Sequence, residues 1–543
     1  MIHSYSLEID GVAPSRVRVR QEQEGHRHRF VIRLPEGLVT AGLRLHLQIK
    51  LDARVLRWRN FDYKWVNAEQ VRMAGSWSPK ILELEGDWRM VAGETHGTWH
   101  YDPRQAQELT WILADPLQQP RLHYDANDHP LLSTCSPARN EWVCTFLFTR
   151  SAVPEFSRSR IPFSAILNIS DHCDFDSPVL LERQRRFLRR LGLNITKGVF
   201  LFHHSKRPWN VSMERQADLL RDWAKDGHEL CYHSLSQSTR ASRSEWEDDF
   251  DRFVTESGSW TTWIDHGFQP YNLSRIPAAA PELIDWARGM RRAGVRLLWN
   301  YLDAGQSGPG RINQLNPKHF SLSAYRKTLM QQFSQSGVFE LLRSYNLFFC
   351  GVRAQKRYQQ LAAWLRKKAW RQSWRIWPRL LAGSFRLLAQ LLRVVFFGSG
   401  RLRLPEWQKM TPILFEVGLG GQRFWLFQTV EVHDFAATFS QDNLNVLMGE
   451  AGVCLAHTYL ADTDRRKSGR LFADNKGHVM PGAKAALERL SLAVAEEKIW
   501  MPTLQELWQQ AELLAGLRFV LDERGQVVAL GGDGGELPPI RYI

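Results

Sequence analysis

Along the first 150 residues, apolar and polar positions alternate in short runs. RFVIRL, LRLHLQIKL and EWVCTFLF are rich in β-branched and aromatic residues, and clusters of Pro, Gly, Asn and Asp separate them. Alternation with a period of two places one set of side chains on each face of a strand. Residues 1–155 therefore predict a β-rich, sandwich-like accessory domain, without a catalytic constellation of its own. The stretch SAVPEFSRSRIP reads as a linker.

From Phe163 the pattern changes to strands alternating with helices. FSAILNIS predicts a buried strand that runs into DHCDFDS. The helix-period stretch LLERQRRFLRRLG follows, then the strand GVFLF, the helix SMERQADLLRDWAKDG and the phrase HELCYHS. Ser244 and Glu247 have capping-box spacing before another helix. TTWID, APELIDWARGMRRAG and VRLLWNYLD continue the alternation. It stops at about Ala304 and resumes after about Pro412 with RFWLFQTVEVHDF, SQDNLNVLMGEAG, VCLAHTY and GAKAALERLSLAVAEEK. Thr503 and Glu506 make a second capping box, opening the helix LQELWQQAELLAG. Strands alternating with helices imply a parallel sheet, closed as an α/β barrel or left open. The predicted α/β domain spans 160–517, with 304–412 inserted in it and 518–543 as a C-terminal tail.

At 543 residues the chain suits two or three domains. The net charge of +14 is local. Leu341 to Pro405 contains fourteen Arg and Lys and no acid, so the remainder is neutral. Within it, residues 356–397 combine Arg and Lys, among them Arg371 and Arg375, with Trp364, Trp370, Trp374 and Trp377; the last three recur at helical spacing. A cationic helix with an aromatic face has the composition of an interfacial helix on an anionic membrane. The alternatives are an apolar face packed on the α/β domain with its charges solvated, and nucleic-acid binding, for which no recognised motif is present. The six cysteines form no CxxC pair. No signal peptide or transmembrane stretch is expected, so the predicted setting is reduced and cytoplasmic, with peripheral contact at the inner face of the membrane.

Catalytic groups in parallel α/β folds collect at the C-terminal ends of strands. That rule selects Asp171, His172, Asp174 and Asp176 after the first strand, then His228 and His233, Asp265 and His266, Asp303, and His457. Carboxylates and imidazoles from several strand ends suit a divalent metal site flanked by a general acid and base. His228 reads as structural, and Cys173 and Cys231 as small buried apolar residues.

The order of these pieces resembles the NodB-like polysaccharide deacetylase family, over about 250 residues. An acidic strand end is followed by GVFLF, then by Gly227-His228-Glu229-Leu230-Cys231-Tyr232-His233-Ser234, and much later by His457. The resemblance implies a distorted βα barrel that removes N-acetyl groups from sugars with a divalent metal, zinc above all. It implies Asp171 as the base, His233 as a metal ligand and His457 as the acid that protonates the leaving amine. Asp265, His266 and Asp303 would line the substrate. The family's second ligand histidine falls here on Gln237, and its paired aspartates are replaced by Asp171 and His172 with Asp174 beyond, so either His172 or Asp174 fills the vacant place. The substrate expected is a glycan or lipid-linked saccharide of surface polysaccharide metabolism. The competing functions are an inactive glycan-binding scaffold on the same fold and, behind it, a nucleic-acid-associated protein. The oligomeric state is not indicated.

Overall fold

A computed structural model describes residues 1–321 and 413–543, apart from 36–40, 71–72, 76, 125–129, 235–238, 241, 257–259, 266–270, 433, 464–468 and 533–534; between 322 and 412 it describes only 324, 382, 385 and 389. The aromatic and cationic positions Trp364, Trp370, Arg371, Trp374, Arg375 and Trp377 lie outside the described residues, as do Gln237 and His266.

Among the described residues, the N-terminal segment forms two large antiparallel sheets and a separate two-stranded pair, Pro120–Tyr124 with Pro130–Thr134. One has five strands, including Arg44–Leu51 and Glu108–Ala114; the other has seven, including Arg27–Arg33 and Glu141–Thr149. Alternate residues of both, such as Leu45, Leu47 and Trp111 against Phe30, Ile32 and Phe146, share one core. The period-two pattern is thus realised as a sandwich.

The α/β part is a closed barrel of seven parallel strands: β1 (Ala165–Asp171), β2 (Thr196–Val199), β3 (Glu229–His233), β4 (Thr262–Ile264), β5 (Leu297–Gln306), β6 (Gln422–Glu431) and β7 (Val453–Thr458). Each pairs with the next, and β7 returns to β1. Helices α1 (Pro178–Leu191), α2 (Met213–Lys225), α3 (Arg243–Glu256) and α4 (Glu282–Arg292) follow the first four strands. After β6 comes α5 (Gln441–Gly449), and after β7 come α6 (Pro481–Ala495) and α7 (Leu504–Gly516). The parallel arrangement expected from the βα alternation is present, and it closes on itself.

The amino end of α7 meets the end of the barrel where the strands begin. Thr503 caps it in the expected box with Glu506. The buried Glu229 carboxylate accepts hydrogen bonds from the Gln505 N–H (2.9 Å), the Thr262 hydroxyl (2.7 Å) and the Thr196 hydroxyl (2.9 Å). A buried acid is tolerable here because donors and a helix amino terminus surround it.

Three expectations change. Residues 154–159 are not a linker. Pro154–Phe156 pairs with Ile540–Tyr542, and Arg158, fully buried, donates to the carbonyls of Trp77 (2.6 Å), Ala451 (3.2 Å) and Phe61. Their polar groups are satisfied inside the seam between sandwich and barrel. For the same reason 518–543 is no free tail: Phe519 N–H donates to Gly93 O at 2.8 Å. The capping box of α3 is formed by Ser242 and Glu245, two residues before the expected pair. Ser242 N–H donates to Glu245 (3.0 Å), Glu245 N–H to Ser242 Oγ (3.3 Å), and Glu247 pairs with Arg243 instead.

Candidate metal centre

Side chains on a strand alternate between its faces, and in a barrel those faces are the interior and the helix layer. On β1, Ile166 packs with Cys231, Ile264, Leu297 and Leu455 inside, whereas Leu167 and Ile169 pack with Leu180 and Leu188 of α1 outside. Continuing the alternation sends Asp171 outward and His172 inward. The same parity turns His233 inward on β3 beyond Cys231, His457 inward on β7 beyond Leu455, and Trp299 inward on β5 beyond Leu297. Four rings therefore gather at the C-terminal mouth. The His172 ring lies 4.7 Å from that of His233, 4.1 Å from that of His457 and 4.9 Å from that of Trp299, centroid to centroid. Tyr459 closes the group, 5.3 Å from His172 and 5.0 Å from His457.

A short 3-10 turn, Cys173–Phe175, then brings Asp174 back over the mouth. Its backbone carbonyl is held by Arg207 Nη1 (2.7 Å) and Asn210 Nδ2 (2.9 Å). Its carboxylate oxygen lies 3.2 Å from His233 Nε2. One ligand atom each from His172, Asp174 and His233 lies within 4.8 Å of the others, and this buried group could hold a metal ion. His233 Nδ1 donates to the Ser234 carbonyl at 2.8 Å, which fixes the ring and directs Nε2 at the carboxylate. Donors around a tetrahedral zinc stand roughly 3.3 Å apart, given bond lengths of about 2.0–2.1 Å. The 3.2 Å between His233 Nε2 and Asp174 fits that spacing. Gly198 on β2 makes the room: a Cβ there would stand 3.2 Å from His233 Cδ2 and 3.1 Å from Ile264 Cδ1.

Asp171, expected as the base, is turned away from this group. Its neighbour in register on β2 is Lys197, also outward, and the two pair while fully buried. Lys197 Nζ also reaches Asp176 (2.5 Å) and donates to Gln184 Oε1 (3.1 Å), and Gln184 Nε2 donates to Asp176 (2.8 Å). The other Asp171 oxygen accepts from Thr458 Oγ1 (2.9 Å) and Leu460 N–H (2.7 Å), tying down the end of β7 just beyond His457. Burial pushes Asp176 up to about 6 against the pull of Lys197, and the charge of Asp171 adds to the rise. Burial acts to lower the Lys197 pKa, but its two carboxylates more than offset that and hold it above its ordinary value.

The remaining candidates divide. Asp303 is drawn to His457, whose Nδ1 lies 3.4 Å from it, and the Thr429 hydroxyl also donates to that carboxylate. Thr429 in turn accepts from Trp299 Nε1 at 2.9 Å. Asp303, expected at the substrate, is thus placed to orient His457. Asp265 accepts from Ser274 N–H (2.7 Å) and Oγ (2.9 Å) and from Asn300 Nδ2 (3.2 Å), so it anchors a loop, which replaces its expected substrate role. His228 is structural: Nδ1 accepts from Ile195 N–H at 3.1 Å, and burial lowers its pKa to about 4. Cys173 and Cys231 are buried thiols, pushed well above their ordinary pKa by burial. Lys197, Trp299, Thr429 and Tyr459 escaped the sequence reading. Lys197 alone left a signal, a lone cation between Thr196 and the apolar run GVFLF.

Among known proteins, no family model matches the chain, and no curated protein matches it. Among solved structures the chain aligns weakly with a β-arabinopyranosidase (7% identity, 55% of this chain and 58% of that one, TM-score 0.24). It aligns as weakly with a glycoside hydrolase family 97 enzyme in complex with acarbose from Pseudoalteromonas sp. strain K8 (8% identity, the same coverage, TM-score 0.22). The match spans 58% of either neighbour's length, and neither likeness bears on the activity of this chain.

Proposed function

We propose that this chain is a metal-dependent hydrolase that removes an N-acetyl group from a saccharide, as its resemblance to NodB-like deacetylases implies. The observation that carries the reading is the convergence of His172, Asp174 and His233, with the Asp303–His457 pair beside them. The closed parallel barrel and the position of His233 of the HELCYHS phrase at the end of β3 support it. Two imidazoles and one carboxylate, with positions left open, form a donor set suited to catalytic zinc. A zinc ion bound there would supply Lewis-acid polarisation of the amide carbonyl and an acidified water.

The chain's own groups do the rest. Asp303 faces His457 Nδ1 and favours the tautomer with its hydrogen there, which leaves Nε2 to accept the proton given up by the attacking water and to pass it to the leaving amine nitrogen. Trp299 and Tyr459 flank the His457 imidazole. Asp171 positions the strand end that carries His457 and does not meet the substrate. The test is acetate release from N-acetylated oligosaccharides by zinc-loaded protein. Activity should vanish in His233→Ala. Asp303→Asn should cut it roughly 100-fold, within the range for losing a tuned acid–base group, with zinc still bound. Saccharide binding without acetate release would favour the scaffold reading instead. The proposed membrane contact through 356–397 rests on composition alone and is tested by flotation with anionic vesicles.

A further inference from the structure

We propose that Trp209 is a stacking platform for a sugar ring of the substrate, beside the metal ligands; this rests on the saccharide reading above. Trp209 is 45% exposed, the one exposed tryptophan among the described residues. Single exposed hydrophobic residues are ordinary, but the setting of this one is not. It sits in a tight loop whose neighbours on both sides are bound to a proposed metal ligand: Arg207 Nη1 and Asn210 Nδ2 both donate to the Asp174 carbonyl, at 2.7 and 2.9 Å.

The loop is braced from within. Ser205 Oγ donates to Asn210 Oδ1 (2.6 Å), Arg207 N–H to Ser205 Oγ (3.1 Å), and Asn210 N–H to Arg207 O (3.0 Å). The Arg207 guanidinium is shared between two rings, 4.7 Å from the centroid of Phe175 and 5.9 Å from that of Trp209. The indole is thus exposed to water on a loop hydrogen-bonded to the backbone of Asp174. A pyranose offers what such a ring can bind: an apolar C–H face for the indole and a hydroxyl rim for the neighbouring guanidinium. A rigid two-torsion aromatic loses little entropy on binding.

The experiment uses the full zinc-loaded chain with a β-linked N-acetylglucosamine oligomer and, in parallel, a small acyl ester that lacks a sugar. Trp209→Ala should raise the oligomer's KM about tenfold, in the range of a lost aromatic contact. It should leave kcat and zinc stoichiometry unchanged and ester turnover untouched. Trp209→Phe should restore most of the loss. An unchanged oligomer KM in active Trp209→Ala protein, or equal losses on oligomer and ester, overturns the platform. Wild-type protein that holds zinc yet neither binds nor cleaves the oligomer overturns the saccharide reading itself, and the platform with it.

Discussion

Replacing Lys197 with Met tests the electrostatics beneath the candidate site. Lys197 is fully buried between Asp171 and Asp176, 2.5 Å from the latter, with Gln184 completing its shell. Methionine keeps the approximate length and removes the charge, so two buried carboxylates face each other uncompensated. Removing one partner of a buried pair costs about 3–5 kcal/mol. For a domain this large that corresponds to roughly a 10 °C fall in Tm. The deficit should depend on pH. The carboxylate pair will retain a proton in the native state at pH values where an unfolded aspartate, with a pKa near 3.9, has lost it. The native state then binds more protons than the unfolded one, so stability falls as pH rises. Urea unfolding of chelator-treated protein should therefore show a larger deficit at pH 8 than at pH 5. Adding Asp171→Asn should recover part of the loss by removing one of the facing charges. A deficit under about 1 kcal/mol, no larger than an exposed pair contributes, would refute the reasoning, as would equal deficits at both pH values.

Two further outcomes follow from single residues. The folded pKa of His228 is depressed from 6.5 to about 4, so its contribution to stability is complete above 6.5 and lost as pH falls toward 4. That is about 3 kcal/mol over the window, and His228→Asn, which keeps an acceptor for Ile195 N–H, should flatten that part of the pH–stability curve. Thr503→Ala breaks the cap of α7 and should cost about 1 kcal/mol by denaturant titration; no change would mean that the cap adds nothing to the seat of α7.

The parallel βα repeat was legible because its strands are short apolar runs between helix-period stretches, and strand-end polarity named His172, Asp174, His233, Asp303 and His457 but not Trp299 or Tyr459 of the same mouth. Parity then decided what the residue list could not. Asp171 and His172 are adjacent and equally plausible in sequence, yet one faces α1 and the other the interior. Asp303 and His457 are 154 positions apart, and only the closure of β5, β6 and β7 brings them together. The seam at 154–159 was not legible because the partners that bury Arg158 are backbone carbonyls of the sandwich and the barrel, far away in sequence. The α3 cap was displaced because Ser242–Glu245 and Ser244–Glu247 share one spacing, and only the start of the helix separates them.

Zinc titration of chelator-stripped protein, followed by calorimetry and elemental analysis, probes the shared coordination shell of His172, Asp174 and His233 most directly. The expected result is about one zinc per folded chain, in keeping with a three-ligand catalytic site, lost in Asp174→Ala and in His233→Ala and retained in His457→Gln. Folded Asp174→Ala, His233→Ala double-variant protein that still binds zinc like the wild type, or a wild type that binds none, would contradict it.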